Sequence, residues 1–137
     1  EDPLGKTETF GYDANGNLAS ATDRTGALTR FAYDRHDRRT FAGFAETAGS
    51  PPAYESTIAY AYDAGGRLVE AGDSEAGAIA LSWDGLDRLA SEQTPEGTIS
   101  YAYDAAGRRA AMDTAGQPQT TYAYDDDGKP VLDQVGE

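Results

Sequence analysis

Tyr60-Ala61-Tyr62-Asp63-Ala64-Gly65-Gly66-Arg67-Leu68 decides how the chain folds. Aromatic residues at i and i+2 with a small residue between them have the two-residue period of a strand, so both rings point to one face. Asp63 opens a turn, because its carboxylate can accept backbone N–H groups two residues on. Gly66 can take the left-handed conformation that closes a type I turn with a G1 bulge. Arg67-Leu68 then starts a second strand. The stretch is a β-hairpin written out in full.

The same grammar recurs six times, in units starting near residues 10, 31, 60, 81, 101 and 122. Their strands end Tyr12-Asp13, Tyr33-Asp34, Tyr62-Asp63, Trp83-Asp84, Tyr103-Asp104 and Tyr124-Asp125. The Asp positions are 21, 29, 21, 20 and 21 residues apart, which is the mark of a structural repeat. The turn glycine recurs as Gly16, Gly66, Gly107 and Gly128, and the basic residue after it as Arg67, Arg88 and Arg108. Asp37 and Asp87 stand where the glycine is expected; Asp tolerates the left-handed region better than most residues. A second, polar turn follows each returning strand, as in Asp23-Arg24-Thr25-Gly26 and Thr94-Pro95-Glu96-Gly97. Two short strands per repeat joined by tight turns predict an all-β, antiparallel meander. The exception is the region 39–58, which widens one interval to 29 residues and contains Ser50-Pro51-Pro52. It reads as an enlarged inter-repeat loop within a single repeat segment, 1–137. Pro130 stands where Leu68 and Leu89 begin their strands and cannot donate to a ladder, so an edge is expected there.

Composition narrows the partners. The chain has 137 residues, 24 acidic side chains against 11 basic ones, and a net charge of −13. So acidic a surface repels nucleic acid and anionic lipid, and neither nucleic-acid binding nor membrane insertion is expected. No apolar run approaches the roughly 20 residues of a membrane-spanning helix. The absence of cysteine removes disulfides and thiolate metal sites. Leu, Ile, Val and Phe together make up only about 13% of the chain, a level usual for disorder. The regular placement of the aromatics argues instead for a folded, tyrosine-rich sheet. The first residues lack the features of a signal peptide, yet the repeats run to both ends, so the chain reads as a segment of a longer protein.

No residue pattern announces catalysis, a cofactor or a metal. Asp-to-Gly turns at regular spacing are compatible with calcium loops, but such loops need several oxygens each and most units offer one carboxylate. The richest cluster is Asp125-Asp126-Asp127 with Asp133. Each Asp is expected to cap its turn. Arg67, Arg88 and Arg108 are expected to pair with Asp residues on neighbouring strands, such as Asp63 or Asp84, in a ladder of surface ion pairs. His36, the single histidine, sits in a polar turn with no nucleophile nearby. The rows containing Tyr12, Tyr33, Tyr62, Tyr103 and Tyr124 are expected to form a packed seam, with stacking on sugar rings as the alternative.

The run Tyr-x-Tyr-Asp-x-x-Gly-Arg-Leu resembles the YD or RHS repeat. Residues 60–68 and 101–108 carry it most closely, and 10–18 match with Asn17 in place of Arg. The resemblance extends over the chain outside 39–58. It implies an extended, curved sheet that forms part of a spiralling hollow shell, in large proteins that include bacterial Rhs toxins, insecticidal Tc toxins, wall-associated proteins and teneurins. It also implies a structural, non-enzymatic role, secretion or surface display by a bacterium, and partners in the remainder of the shell and an enclosed toxin or effector cargo. The alternative is a glycan- or receptor-binding adhesion module. A few repeats with open sheet edges are further expected to self-associate.

Overall fold

The computed structural model describes residues 6–135, with side chains as far as Val131. Residues 2–5, expected from Asp2-Pro3-Leu4-Gly5 to form a turn, and the side chain of Asp133 lie outside the described part. All regular structure among the described residues is β-strand.

The chain divides into two compact units, residues 1–78 and 79–137. The first unit contains β1 (Thr9–Tyr12), β2 (Leu18–Thr22), β3 (Leu28–Tyr33), β4 (Arg39–Phe44), β5 (Ser56–Tyr62) and β6 (Leu68–Asp73). The boundary falls just inside β7 (Gly77–Trp83); the second unit continues with β8 (Leu89–Thr94), β9 (Gly97–Tyr103), β10 (Arg109–Thr114), β11 (Thr120–Tyr124) and β12 (Pro130–Val135). Within each unit, strands adjacent in sequence are hydrogen-bonded neighbours and run antiparallel.

Register explains the division into faces. Tyr60 pairs with Ala71 and Tyr62 with Leu68, so the aromatic row shares its face with aliphatic residues. Between these pairs the register slips by one residue, because Ala61 pairs with Glu70. The same slip follows the first residue of every returning strand: beside Tyr12, Tyr33, Trp83, Tyr103 and Tyr124 as well. It puts Leu68 beside one ring and Ala71 beside the other, while Glu70 joins the opposite face. The aromatic face is half-buried, whereas the small residues Ala32, Ala59, Ala61, Ser82 and Ala102 are exposed. Ala42, between Phe31 and Ile58, is the one hydrophobic side chain classed as fully buried among the described residues. Each unit therefore gains its apolar burial from one sheet layer, ring against neighbouring strand.

The expected loop 39–58 is corrected at both ends. Residues 39–44 form β4, paired with β3 on one side and β5 on the other, and the connection narrows to residues 45–55. The strand was hidden because Arg39 replaces the restart leucine. Phe41, opposite Ala32 and Ala59, also faces away from the aromatic row. The loop folds over that opposite face. The Glu46 N–H donates to the Leu28 carbonyl at 2.9 Å, and Arg30 Nε donates to Glu46 at 2.6 Å. Tyr54 lies edge-on to Phe41 with ring centroids 5.4 Å apart, and directly on Gly43, where a Cβ would stand 2.6 Å from the ring. Gly43 is thus a packing requirement.

Candidate functional site: the turn edge

The turns that line one edge of each unit are built alike. In the 63–67 turn, the Asp63 N–H donates to the Arg67 carbonyl and the Gly66 N–H to the Asp63 carbonyl, both at 3.0 Å. Gly66 has φ +86°, and Gly16, Gly107 and Gly128 lie between +78° and +89°. Asp37 and Asp87 adopt the same conformation, with φ +58° and +62°. For Asp37 the structure supplies a compensation: its Oδ1 accepts hydrogen bonds from Asn15 Nδ2 at 2.9 Å and Asn17 Nδ2 at 2.7 Å.

Five of the turn aspartates, Asp13, Asp34, Asp63, Asp84 and Asp104, are used twice. Asp34 Oδ1 accepts the N–H groups of His36 and Arg38, and Oδ2 accepts Arg38 Nε at 2.7 Å. Asp84 and Asp104 do the same for Arg88 and Arg108, and Asp63 Oδ2 accepts Arg67 Nε at 2.7 Å. Where a ladder of ion pairs between repeats was expected, Arg38, Arg67, Arg88 and Arg108 pair inside their own turns with the Asp four residues before. A type I turn brings residue i+4 back over the carboxylate, closer than any neighbouring strand. Donation from Arg38 holds Asp34 down to about 2, against the opposing effect of desolvation. Asp63 is lowered chiefly by the Arg67 side chain, Asp84 and Asp104 chiefly by the backbone N–H of Arg88 and Arg108. Asp13 is lowered first by the Asn17 N–H, and Asn17 Nδ2 also donates to Asp13 Oδ2 at 3.1 Å. In the last turn Asp125 Oδ1 accepts the Lys129 N–H at 2.8 Å.

The same arginines reach forward. Arg38 lies over the Tyr62 ring at 4.6 Å, Arg88 over Tyr103 at 4.4 Å and Arg108 over Tyr124 at 4.4 Å. Each tyrosine hydroxyl then donates back to the carbonyl of the residue after that arginine: Tyr62 to Arg39, Tyr103 to Leu89 and Tyr124 to Arg109. Tyr33 donates to Leu18 in the same way, although Asn17 takes the place of the arginine. Aspartate, arginine, ring and carbonyl thus link one turn to the next in a repeating clasp. The sequence signal for it is a basic residue at the fifth position of the turn, four residues after the Asp, before the next repeat's second aromatic. Tyr12 is the outlier of the row, with 64% of its surface exposed.

The other candidates are not gathered into a site. His36 is exposed, and its hydrogen bond to Asp34 comes from the backbone. Among the described residues no cluster of three or more His, Cys, Asp or Glu could hold a metal ion. Asp125, Asp126 and Asp127 are exposed. In the second unit, Tyr103, Arg109, Tyr122, Tyr124 and Pro130 line an open groove of about 460 Å³ on the aromatic face.

Comparison with known proteins agrees with this architecture. The RHS Repeat family model matches residues 1–27, 12–40 and 83–119, together more than half of the chain. No significantly similar sequence is found among curated proteins. Among solved structures, the TcdB2–TccC3–Cdc42 complex matches 92% of the chain with a TM-score of 0.77 and 21% identity. The Photorhabdus luminescens Tc holotoxin pore also matches 92% of the chain, with a TM-score of 0.74 and 21% identity. The TcdB2–TccC3 structure matches 88%, with a TM-score of 0.71. In each case the matched part is 7% of the larger chain, so the present chain spans a small fraction of those proteins. By its sequence matches, and in keeping with its antiparallel all-β fold, the chain belongs to the RHS repeat family.

Proposed function

We propose that the chain is a structural wall segment of a larger secreted or surface-delivered bacterial protein, and that the wall encloses or presents a toxin or effector domain. The clasp carries this reading. Arg38, Arg88 and Arg108 and the tyrosines they cover are spent on joining one repeat to the next. Asp34, Asp63, Asp84 and Asp104 are held ionised by arginine and backbone N–H groups, which makes them poor proton acceptors and favours a non-enzymatic role. The likeness to Tc toxin structures supports a place in a wall of that kind. The test is limited proteolysis of the intact parent protein. A domain encoded beyond the repeats should survive protease while the wall is folded and be digested once clasp substitutions open it. Equal digestion in both states would refute enclosure.

A second reading rests on the groove lined by Tyr103, Tyr122 and Tyr124, whose rings and nearby Arg109 suit a sugar. Calorimetric titration with oligosaccharides decides it. Saturable binding lost in Tyr122→Ala favours an adhesion module, and no heat change leaves the wall segment as the function.

A further inference from the structure

The join between the 13–17 turn and the 34–38 turn is made differently from the others. Elsewhere Arg38, Arg88 and Arg108 each cover the next tyrosine ring. Here Asn17 stands in the arginine's place, and the amides of Asn15 and Asn17 donate to Asp37 Oδ1 at 2.9 and 2.7 Å. These are the two asparagines of the chain, and Asn15 stands directly before Gly16. Glycine has no Cβ to shield its backbone nitrogen, so attack by that nitrogen on the preceding side-chain carbonyl is the least hindered of any sequence. Asn15 is exposed to water. That exposure belongs to the turn position. Gly65 and Ala106, at the same position of their turns, are exposed although an arginine of the preceding repeat lies beside the next glycine.

We infer that Asn15 is a deamidation site and that Asp37 is its latch. In the reaction the Gly16 nitrogen bonds to the Asn15 side-chain carbonyl carbon, the carbon–nitrogen bond of the amide breaks, and ammonia leaves with the proton that Gly16 gives up. Water then opens the cyclic imide at either carbonyl and leaves an aspartyl or isoaspartyl residue. The closed turn opposes the first step. The Gly16 N–H donates to the Asp13 carbonyl at 3.1 Å, and Asp37 holds the Asn15 side chain towards the next turn. After the reaction, position 15 has lost its donor. A carboxylate then faces the Asp37 carboxylate, with Asp13 already on the backbone N–H of the same residue. Asp37, held at φ +58°, also loses one of the two amides that compensate it. The join between these turns therefore loosens with age, with water as the reagent. The latch is contained within residues 13–37 and stands apart from whether the parent protein encloses a cargo.

Storage of the intact protein at mildly alkaline pH, followed by peptide mapping with mass spectrometry, tests it. Asn15 should deamidate, and Asn17, before the bulkier Leu18, should stay intact. Asp37→Gly removes the latch while favouring the left-handed turn, so a faster reaction cannot be laid to a weakened backbone. When folded, that variant should lose the Asn15 amide about fivefold faster than the wild type, the factor set by one ordinary hydrogen bond. In concentrated urea the two should react at the same rate. Equal rates in the folded proteins, the same difference in urea, or an Asn15 that outlasts Asn17 would overturn the inference. Hydrogen exchange reads the consequence. Asn15→Asp should speed exchange of the Gly16 and Asp37 amides, which are bonded within their turns. Adding Asp37→Asn returns a donor opposite the new acceptor and keeps a residue that tolerates the left-handed region, so it should slow exchange again. No acceleration, or no recovery, would overturn the latch.

Discussion

Arg88 lies 4.4 Å over the ring of Tyr103, and the Tyr103 hydroxyl returns a 2.8 Å hydrogen bond to the carbonyl next to that arginine. One side chain thus fixes both the angle of the ring and the height of the following turn. A sheet of small units with so little buried surface needs such a device. Cross-strand aromatic pairs contribute only roughly 0.2–1 kcal/mol each, against roughly 1–2 kcal/mol of backbone entropy per ordered residue.

The hydroxyl half of the clasp can be removed without disturbing the ring. Tyr103→Phe leaves the Leu89 carbonyl without its donor and should cost about 0.5–1.5 kcal/mol in urea denaturation. An unchanged midpoint would mean that water replaces the hydroxyl at no loss.

Gly66 is held at φ +86°, and a Cβ there would lie 3.4 Å from Arg38 Nη1. Gly66→Ala should destabilise the chain by about 1–2 kcal/mol through the left-handed backbone. Arg38 Nη1 at that distance is in ordinary contact, and a Cβ on Gly16 would meet nothing within 4 Å, so Gly16→Ala should cost about as much. Thermal melts of the two variants should therefore fall by similar amounts; a much larger loss for Gly66→Ala would show that Arg38 is held rigidly over that turn.

Loop docking hangs on Gly43. Gly43→Ala places a methyl group 2.6 Å from the Tyr54 ring and should displace it, at about 1–3 kcal/mol. Limited proteolysis should then cut within residues 45–55 sooner than in the wild type. Adding Tyr54→Ala should cost less on the Gly43→Ala background than alone. Simple additivity of the two substitutions would place the ring elsewhere.

Acid should loosen the turn edge. Asp34 has its folded value lowered from 3.8 to about 2, so its contribution is full above the unfolded value and is lost as pH falls from about 4 towards 2. Asp63, Asp84 and Asp104 are shifted the same way and add to the loss. Urea midpoints should be flat near neutrality and drop across that window. Asp34→Asn should flatten part of the drop; an unaltered acid profile would show that other carboxylates govern it.

How much was legible follows from the distance over which each feature is determined. The hairpin of residues 60–68 could be read directly, because alternation, Asx capping and the turn glycine are local. β4 could not, because Arg39 breaks the restart pattern and its strand character comes from pairing with β3 and β5. The register slip after each restart leaves no mark in composition. The clasp needed the register first, since Arg38 and Tyr62 are neighbours only once β4 and β5 are paired. Asp37 looked like a tolerated departure from glycine; its reason lies in the amides of Asn15 and Asn17 in the preceding turn.

The central claim is that successive turns are energetically coupled through arginine and tyrosine. A double-mutant cycle of Arg88→Ala and Tyr103→Leu, read by urea denaturation, tests it most directly. The account predicts a favourable coupling of about 0.5–1 kcal/mol or more, the size of a partly exposed cation–ring contact. A coupling of zero within error would contradict it: the two side chains would then be neighbours in the fold without holding it together.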